Sequence, residues 1–274
     1  MLYHQTIEKN AAAEWVVYVH GAGGSANVWF RQIKFFAEDY NLLLIDLRGH
    51  GQSIVPDDQI HRKLEEYTFE ELANDIIEVL DHLHLKNCHF IGLSLGTILI
   101  REIAETHPGY VRSMILAGAV IKLNIRTKLL SRLADWMKSI VPYMMLYKIY
   151  AHILMPNAAH RDSRNIFINN AMKMAYNEFM NWMGLNSNLN ERLGKYNVSE
   201  PPVPTLFIMG ENDYVFLAQV KTWTQLHHKY SLLYIVPKAG HVCNVDNCDT
   251  FNITAKAFLE DYCSVKNPTE ERLF

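Results

Sequence analysis

The chain has 274 residues, 49% of them hydrophobic and 20% charged, which suits one large α/β domain carrying an inserted subdomain. Its net charge is −3 and no basic tract is present, which argues against a nucleic-acid partner. Four cysteines are too few for a disulfide framework, and neither a signal peptide nor a stretch long and apolar enough to span a membrane is visible. A cytoplasmic location is therefore expected.

The first third of the chain has the pattern of apolar runs that is typical of a parallel sheet. Residues 2–7 are typical of an edge strand, and residues 15–19 and 42–45 form near-continuous apolar runs. Such runs favour strands that are covered on both faces. Between the last two strands, residues 28–39 carry apolar side chains at helical spacing.

The second third continues the alternation of strands and helices. Thr68, followed three residues later by Glu71, forms a capping box that predicts the start of a helix. A strand over 88–91, a helix over 97–106 and a strand over 113–116 follow. The order predicts a doubly wound, mostly parallel sheet of about seven to eight strands.

The segment Gly92-Leu93-Ser94-Leu95-Gly96 lies between a predicted strand and a predicted helix and fits the pattern G-x-S-x-G. A serine on such a sharp turn needs glycine on either side, because a Cβ there would collide with the neighbouring backbone. The turn lifts the hydroxyl off the sheet and places it at a helix N-terminus, where negative charge is favoured. Ser94 is therefore the candidate nucleophile.

The alternation of strands and helices stops after residue 120. Residues 121–196 lack a strand-like run and are rich in Met, Tyr, Leu and Trp at helical spacing, which predicts a helical cap inserted into a core of residues 1–120 and 197–274. Strands over 205–209 and 232–236 and a helix over 249–262 complete that core. Such apolar stripes often form only the interior of a cap, but they also suggest an apolar substrate pocket. The candidate pocket residues are Trp29, Leu93, Trp136, Met137 and Met183.

A serine hydroxyl needs a base within hydrogen-bond reach, and the base needs an acid to hold its tautomer. Of thirteen histidines, His241 is in the most suitable place, because it follows the strand over 232–236 and precedes the last helix. Asp213, shortly after the strand over 205–209, is the candidate acid. Glu211 and Asp246 are its rivals.

A tetrahedral intermediate also needs two N–H groups facing its oxyanion. The first candidate is the N–H of Leu95, directly after the nucleophile, and the second is that of Ala22 in the loop His20-Gly21-Ala22-Gly23-Gly24-Ser25. A glycine-rich loop after a strand can instead cradle a phosphate. Its spacing here matches neither common nucleotide-binding pattern, so no nucleotide is expected.

Several potential metal ligands lie close together near the C-terminus. His241, Cys243, Asp246 and Cys248 do not have a standard zinc spacing, and no metal or other cofactor is expected.

Together these motifs resemble the α/β-hydrolase superfamily, and among its members the compact esterases and enol-lactonases. The matching segments are 20–29, 46–53, 92–96, 210–213 and 240–241. The resemblance implies the chain order nucleophile, acid, histidine, a structural role for the 46–53 loop, and a helical cap over the pocket. The sequence departs from the family in having one strand, rather than the common two, before the strand that ends at Val19.

The sequence therefore predicts a serine hydrolase that cleaves a small-molecule carboxylic ester, thioester or lactone through an acyl-enzyme on Ser94. In relatives that open epoxides or remove halide, an aspartate occupies this position, so the serine favours acyl chemistry. Cleavage of an activated C–C bond, acyl transfer, and a slow-turnover receptor with the same fold stay open. The sequence also leaves open whether the protein is a monomer or a homodimer.

Overall fold

The computed structural model describes residues 1–53, 67–123, 141–201 and 203–264. Seven strands form one sheet in the order β1-β3-β2-β4-β5-β6-β7. The strands are β1 (His4–Ile7), β2 (Trp15–Val19), β3 (Asn41–Ile45), β4 (Cys88–Leu93), β5 (Val111–Ala117), β6 (Thr205–Gly210) and β7 (Ser231–Val236). All neighbours run parallel except β1, which pairs antiparallel with β3. The predicted α/β architecture is confirmed, with a single strand before β2.

Helices cover both faces of this sheet. The helices of the core are α1 (Phe30–Phe36), α2 (Phe69–His82), α3 (Leu95–Thr106), α8 (Leu217–Leu226), α9 (Cys243–Asp246) and α10 (Cys248–Ser264). The predicted helix over 28–39 is shorter than expected, because its first turn, Ala26–Trp29, is a 3₁₀ helix. The predicted helix over 97–106 begins earlier, at Leu95, immediately after the turn at Ser94.

The central strands are buried because helices pack on both of their faces. Val16 to Val19 of β2 are fully buried, and every residue of β3, β4 and β6 is buried. These continuous apolar runs gave the correct strand predictions, since a strand covered on both faces needs no alternation of polar and apolar residues.

Between β5 and β6 the described chain is helical. It contains α4 (Tyr143–Leu154), α5 (Arg161–Ala171), α6 (Tyr176–Gly184) and α7 (Asn186–Tyr196). The predicted helical insertion is thereby confirmed, while its limits at 121 and 196 stay a prediction. None of the helices in the described ranges is both long and apolar enough to cross a lipid bilayer.

The sheet order reverses direction between β2 and β4, and the loops after these two strands meet at the carboxyl edge of the sheet. Such a crevice is where open α/β sheets bind ligands. The loop after β2 contains the glycine-rich segment, and the turn after β4 contains Ser94.

The capping box at Thr68 gives a test of the fold prediction. Thr68 accepts a hydrogen bond from the Glu71 N–H, and the Glu71 carboxylate accepts one from the Thr68 N–H. We expect Thr68→Ala to lower the free energy of unfolding by about 1 kcal/mol, because the Glu71 N–H loses the hydroxyl oxygen that accepts its hydrogen bond. Urea unfolding measures the change. Thr222→Ala is the matched control, since Thr222 is exposed in the interior of α8, and equal unfolding energies of the two variants would contradict the capping role.

Candidate active site

Ser94 lies in a backbone conformation that few residues adopt. Its φ is 52° and its ψ is −115°, and its N–H donates to the carbonyl of Ala117 at 2.9 Å. A non-glycine residue at positive φ is strained, and such strain persists only where the surroundings enforce it. The turn directs the serine away from the sheet, immediately before the first residue of α3.

The two flanking glycines are required by close approaches of the backbone. A Cβ on Gly96 would lie 2.4 Å from the carbonyl oxygen of Val19, and one on Gly92 would lie 3.0 Å from the carbonyl carbon of Gly96. The start of α3 therefore packs directly on the end of β2. The expected reason for glycine at both positions is confirmed.

The structure brings Ser94, His241 and Asp213 together. The Ser94 hydroxyl donates to His241 Nε2 at 2.9 Å, and His241 Nδ1–H donates to Asp213 Oδ2 at 2.8 Å. The side chains of His241 and Asp213 are almost completely buried. This chain of hydrogen bonds leaves Nε2 free to accept a proton from the serine, which is the arrangement that nucleophilic catalysis needs.

Backbone groups hold Asp213 in place. Its second carboxylate oxygen, Oδ1, accepts the N–H groups of Val215 at 3.2 Å and Phe216 at 2.9 Å. The ring of Phe216 also lies 5.4 Å from the His241 ring, between centroids. The carboxylate is thereby fixed against rotation with one oxygen facing the histidine.

The two rival acids have other partners. Asp246 accepts the N–H of Gly240 at 2.8 Å, and Glu211 accepts the N–H of Lys238 at 3.0 Å. Asp246 thus supports the loop that carries His241 through the backbone of the preceding residue. Gly118, at a φ of +52°, packs below the same loop, since a Cβ there would lie 2.5 Å from the His241 carbonyl oxygen.

The loop after β2 carries Ala22 to the edge of the cavity beside Ser94. Leu95 is the first residue of α3, so its N–H has no carbonyl partner within the helix. The Tyr147 hydroxyl, from the cap helix α4, donates to the Ala22 carbonyl at 2.7 Å. This bond fixes the peptide that follows Ala22.

Two buried histidines support this loop, and the sequence analysis assigned them no role. His50 Nε2 accepts the N–H of Gly23 at 2.8 Å, and His20 Nε2 accepts the N–H of Leu47 at 3.0 Å. Each ring donates its Nδ1–H to a carbonyl, His20 to Gly21 and His50 to Arg48. The bonding pattern therefore requires both rings to be neutral.

Burial supports the same protonation state. Removal from water lowers the pKa of His20 to about 4, and burial, with His20 alongside, lowers the pKa of His50 to about 3. The ring of His50 packs between that of His20, at 5.0 Å between centroids, and that of Trp182 from the cap, at 4.8 Å. The histidine pair thus joins the glycine-rich loop, the 46–53 loop and the cap.

Two cavities adjoin Ser94. The larger has a volume of about 410 Å³ and lies between the core and the cap, with Ala22, Leu95, Met183 and Phe216 among its lining residues. The smaller, of about 20 Å³, is lined by Leu93, His241 and Val242 of the core and by residues of α5. A volume of about 400 Å³ lies within the range of ligand pockets, whereas 20 Å³ holds about one water molecule.

Of the candidate pocket residues that the sequence predicted, some line a cavity and others do not. Met183 lines the larger cavity and Leu93 the smaller one. Trp29 instead lies in the core, fully buried, with its ring 5.2 Å from that of Tyr18. Trp136 and Met137 lie outside the described residues. Tyr147, Phe216 and Phe167 were missed, because contacts between a cap and a core leave no pattern in the sequence.

Within the described ranges, no group of three or more His, Cys, Asp or Glu side chains is arranged to hold a metal ion. Cys243 is buried beneath the His241 loop, with its thiol facing the Ile208 carbonyl, while Cys248 is partly exposed.

Comparison with known protein families identifies the fold. The family profile described as the alpha/beta hydrolase fold matches residues 14–247. The crystal structure of the enol-lactonase from Burkholderia xenovorans superimposes with a TM-score of 0.77 at 19% identity, covering 94% of this chain and 96% of that one. A carboxylesterase structure from Nitrososphaera gargenis gives a TM-score of 0.73 at 21% identity, covering 95% and 94%.

Sequence identity to the curated relatives is low, and several of them match only part of this chain. The 3-oxoadipate enol-lactonase 2 of Acinetobacter baylyi is 28% identical over 109 residues, which are 40% of this chain and 38% of that protein. The chain thus spans well under half the length of this relative. Identities this low are evidence for a shared fold rather than a shared substrate.

The neutral histidine pair makes stability depend on pH in a predictable direction. An unfolded His50 binds a proton below its ordinary pKa of 6.5, but the folded ring resists protonation down to about 3. The unfolded state therefore binds more protons, and stability falls as the pH drops from about 6.5 toward 3. Between pH 7 and pH 5 we expect His50 to account for a loss of about 2 kcal/mol.

Urea unfolding of the wild type and of His50→Gln at both pH values measures this loss. The glutamine cannot titrate, so its loss between pH 7 and pH 5 should be smaller by that amount. His228→Gln, at an exposed position, is the matched control and should lose as much as the wild type. A His50→Gln variant that loses as much as the wild type would show that the buried ring does not carry the effect.

Proposed function

The chain belongs to the α/β-hydrolase family, and we propose that it is a serine hydrolase that cleaves a carboxylic ester, thioester or lactone through an acyl-enzyme on Ser94. The observation that carries the proposal is the continuous hydrogen-bond path from the Ser94 hydroxyl through both nitrogens of His241 to Asp213, with distances of 2.9 and 2.8 Å.

In the proposed first step, Ser94 Oγ attacks the substrate carbonyl carbon while its proton moves to His241 Nε2. Asp213 keeps the imidazole in the tautomer that accepts at Nε2 and stabilises the imidazolium that forms. The carbonyl π electrons move onto the oxygen, which faces the N–H groups of Leu95 and Ala22. One such donor typically contributes about 3–4 kcal/mol of transition-state stabilisation.

The tetrahedral intermediate then collapses. The bond between the carbonyl carbon and the leaving oxygen or sulfur breaks, and His241 donates its proton to that atom. A water molecule next gives a proton to His241 and attacks the acyl carbon. The acid leaves and Ser94 regains its proton, so the enzyme returns to its starting state without a cofactor.

The helices between β5 and β6 are proposed as the cap that encloses the acyl part of the substrate. The large cavity between them and the core is lined almost entirely by aliphatic, aromatic and methionine side chains. A closed apolar site excludes bulk water and strengthens the hydrogen bonds to the oxyanion.

We expect Ser94→Ala to lower kcat/KM for a methyl ester on the order of 10⁶-fold, because the nucleophile is lost. Adding Asp213→Asn to Ser94→Ala should change the residual rate little, since Ser94, His241 and Asp213 act together and the serine is already lost. Alcohol release measures the rate, and circular dichroism checks that both variants fold.

A fluorophosphonate probe tests the same assignment without a substrate. Intact-mass analysis should show one adduct on the wild type and none on Ser94→Ala. An adduct of equal yield on both proteins would show that another nucleophile reacts. Labelling at Ser94 combined with tight ligand binding and negligible turnover would favour the receptor alternative, and turnover of a β-diketone but of no ester would favour C–C cleavage.

A further inference from the structure

The two cavities beside Ser94 differ about twentyfold in volume, at about 410 and 20 Å³. An ester bound with its carbonyl carbon at Ser94 must place its acyl group on one side of the serine and its alcohol on the other. The sizes therefore suggest that one cavity holds the acyl group and the other holds the alcohol. The residues that line each cavity indicate which group it holds.

Both candidate oxyanion donors line the large cavity. Leu95 and Ala22 are on its wall, next to Ser94, and Ala22 also touches the small one. The carbonyl oxygen must face these N–H groups, which leaves the acyl chain to extend into the large space that they border.

His241 lies on the other side of Ser94, at the small cavity. His241 and Val242 line the small cavity, and α5 contributes Ser163, Ile166 and Asn170 to its wall. Because His241 Nε2 donates the proton to the leaving atom, the alcohol must lie on the histidine side of the serine. That side has room for about one water-sized group.

None of the described residues that line the large cavity could form an ion pair with a charged substrate. Its lining side chains are apolar except for Ser94, the ring N–H of Trp182 and the hydroxyls of Tyr147 and Tyr150. The Tyr147 hydroxyl already donates to Ala22, and the Trp182 ring N–H donates to the Arg48 carbonyl at 3.0 Å. A carboxylate on the acyl chain would lose its water without gaining an ion pair from any of these described residues, which is costly.

We propose that the preferred substrates are esters of a medium-length, uncharged acyl chain with a small alcohol such as methanol. This inference rests on the proposed function, since it assumes an acyl-enzyme on Ser94.

An isomeric pair of esters tests the orientation. Methyl octanoate and heptyl acetate have the same formula and similar hydrophobicity, but the long chain is on the acyl side in one and on the alcohol side in the other. We expect kcat/KM for methyl octanoate to be at least about tenfold higher. Monomethyl suberate, which adds a terminal carboxylate, should also be at least about tenfold poorer than methyl octanoate at pH 7.

A pair of variants on α5 tests the assignment of the small cavity. Ile166→Ala removes part of its wall and should raise the rate with heptyl acetate relative to methyl octanoate several-fold. Ile168→Ala is the matched control, because Ile168 is on the same helix and also packs against the core but lines neither cavity. It should leave the ratio of the two rates unchanged.

The outcomes separate this inference from the proposed function. If the fluorophosphonate labels Ser94 but heptyl acetate is the equal or better substrate, or neither ester is cleaved, only the inference is wrong. An unchanged ratio in Ile166→Ala, or a suberate ester cleaved as fast as the octanoate, also overturns it. If Ser94 is not labelled and neither ester is cleaved, both proposals fall.

Discussion

The geometry of the site depends on the strained backbone at Ser94. A φ of 52° is tolerated because β4 and α3 are both packed from several sides, with α3 so close to β2 that position 96 has no room for a side chain. The cost of such a conformation is on the order of 1–3 kcal/mol and is offset by the surrounding core. What results is a hydroxyl held at a helix N-terminus with little freedom to move.

The parallel sheet then brings distant parts of the chain to that hydroxyl. Ser94, Asp213 and His241 follow β4, β6 and β7, and the glycine-rich loop follows β2, so all four reach the same edge. The supporting contacts come from the core and from the cap. The neutral rings of His20 and His50 bind the backbone at Leu47 and Gly23, and the cap helix α4 binds the carbonyl of Ala22 through Tyr147. The cap is therefore joined to the proposed oxyanion site as well as to the substrate cavity.

Much of this could be predicted from the sequence, and the reason is physical. Buried parallel strands need unbroken apolar runs, and a tight strand-to-helix turn needs glycine, so both leave local patterns that can be recognised. The convergence of residues 94, 213 and 241 followed from their positions after parallel strands of one sheet. The cavity could not be predicted in the same way. Trp29 looks like a pocket residue in sequence but fills the core against Tyr18, and Tyr147 and Phe216 reach the site through packing that depends on the relative position of two layers.

Acid quenching during turnover of methyl octanoate shows whether Ser94 carries the acyl group. Peptide mass spectrometry of the quenched wild type should find one octanoyl group, attached to the peptide that contains Ser94, at a level that rises and then stays constant while product accumulates. Continued formation of octanoate with no acyl group on that peptide at any time, or with the group on another residue, would contradict the account.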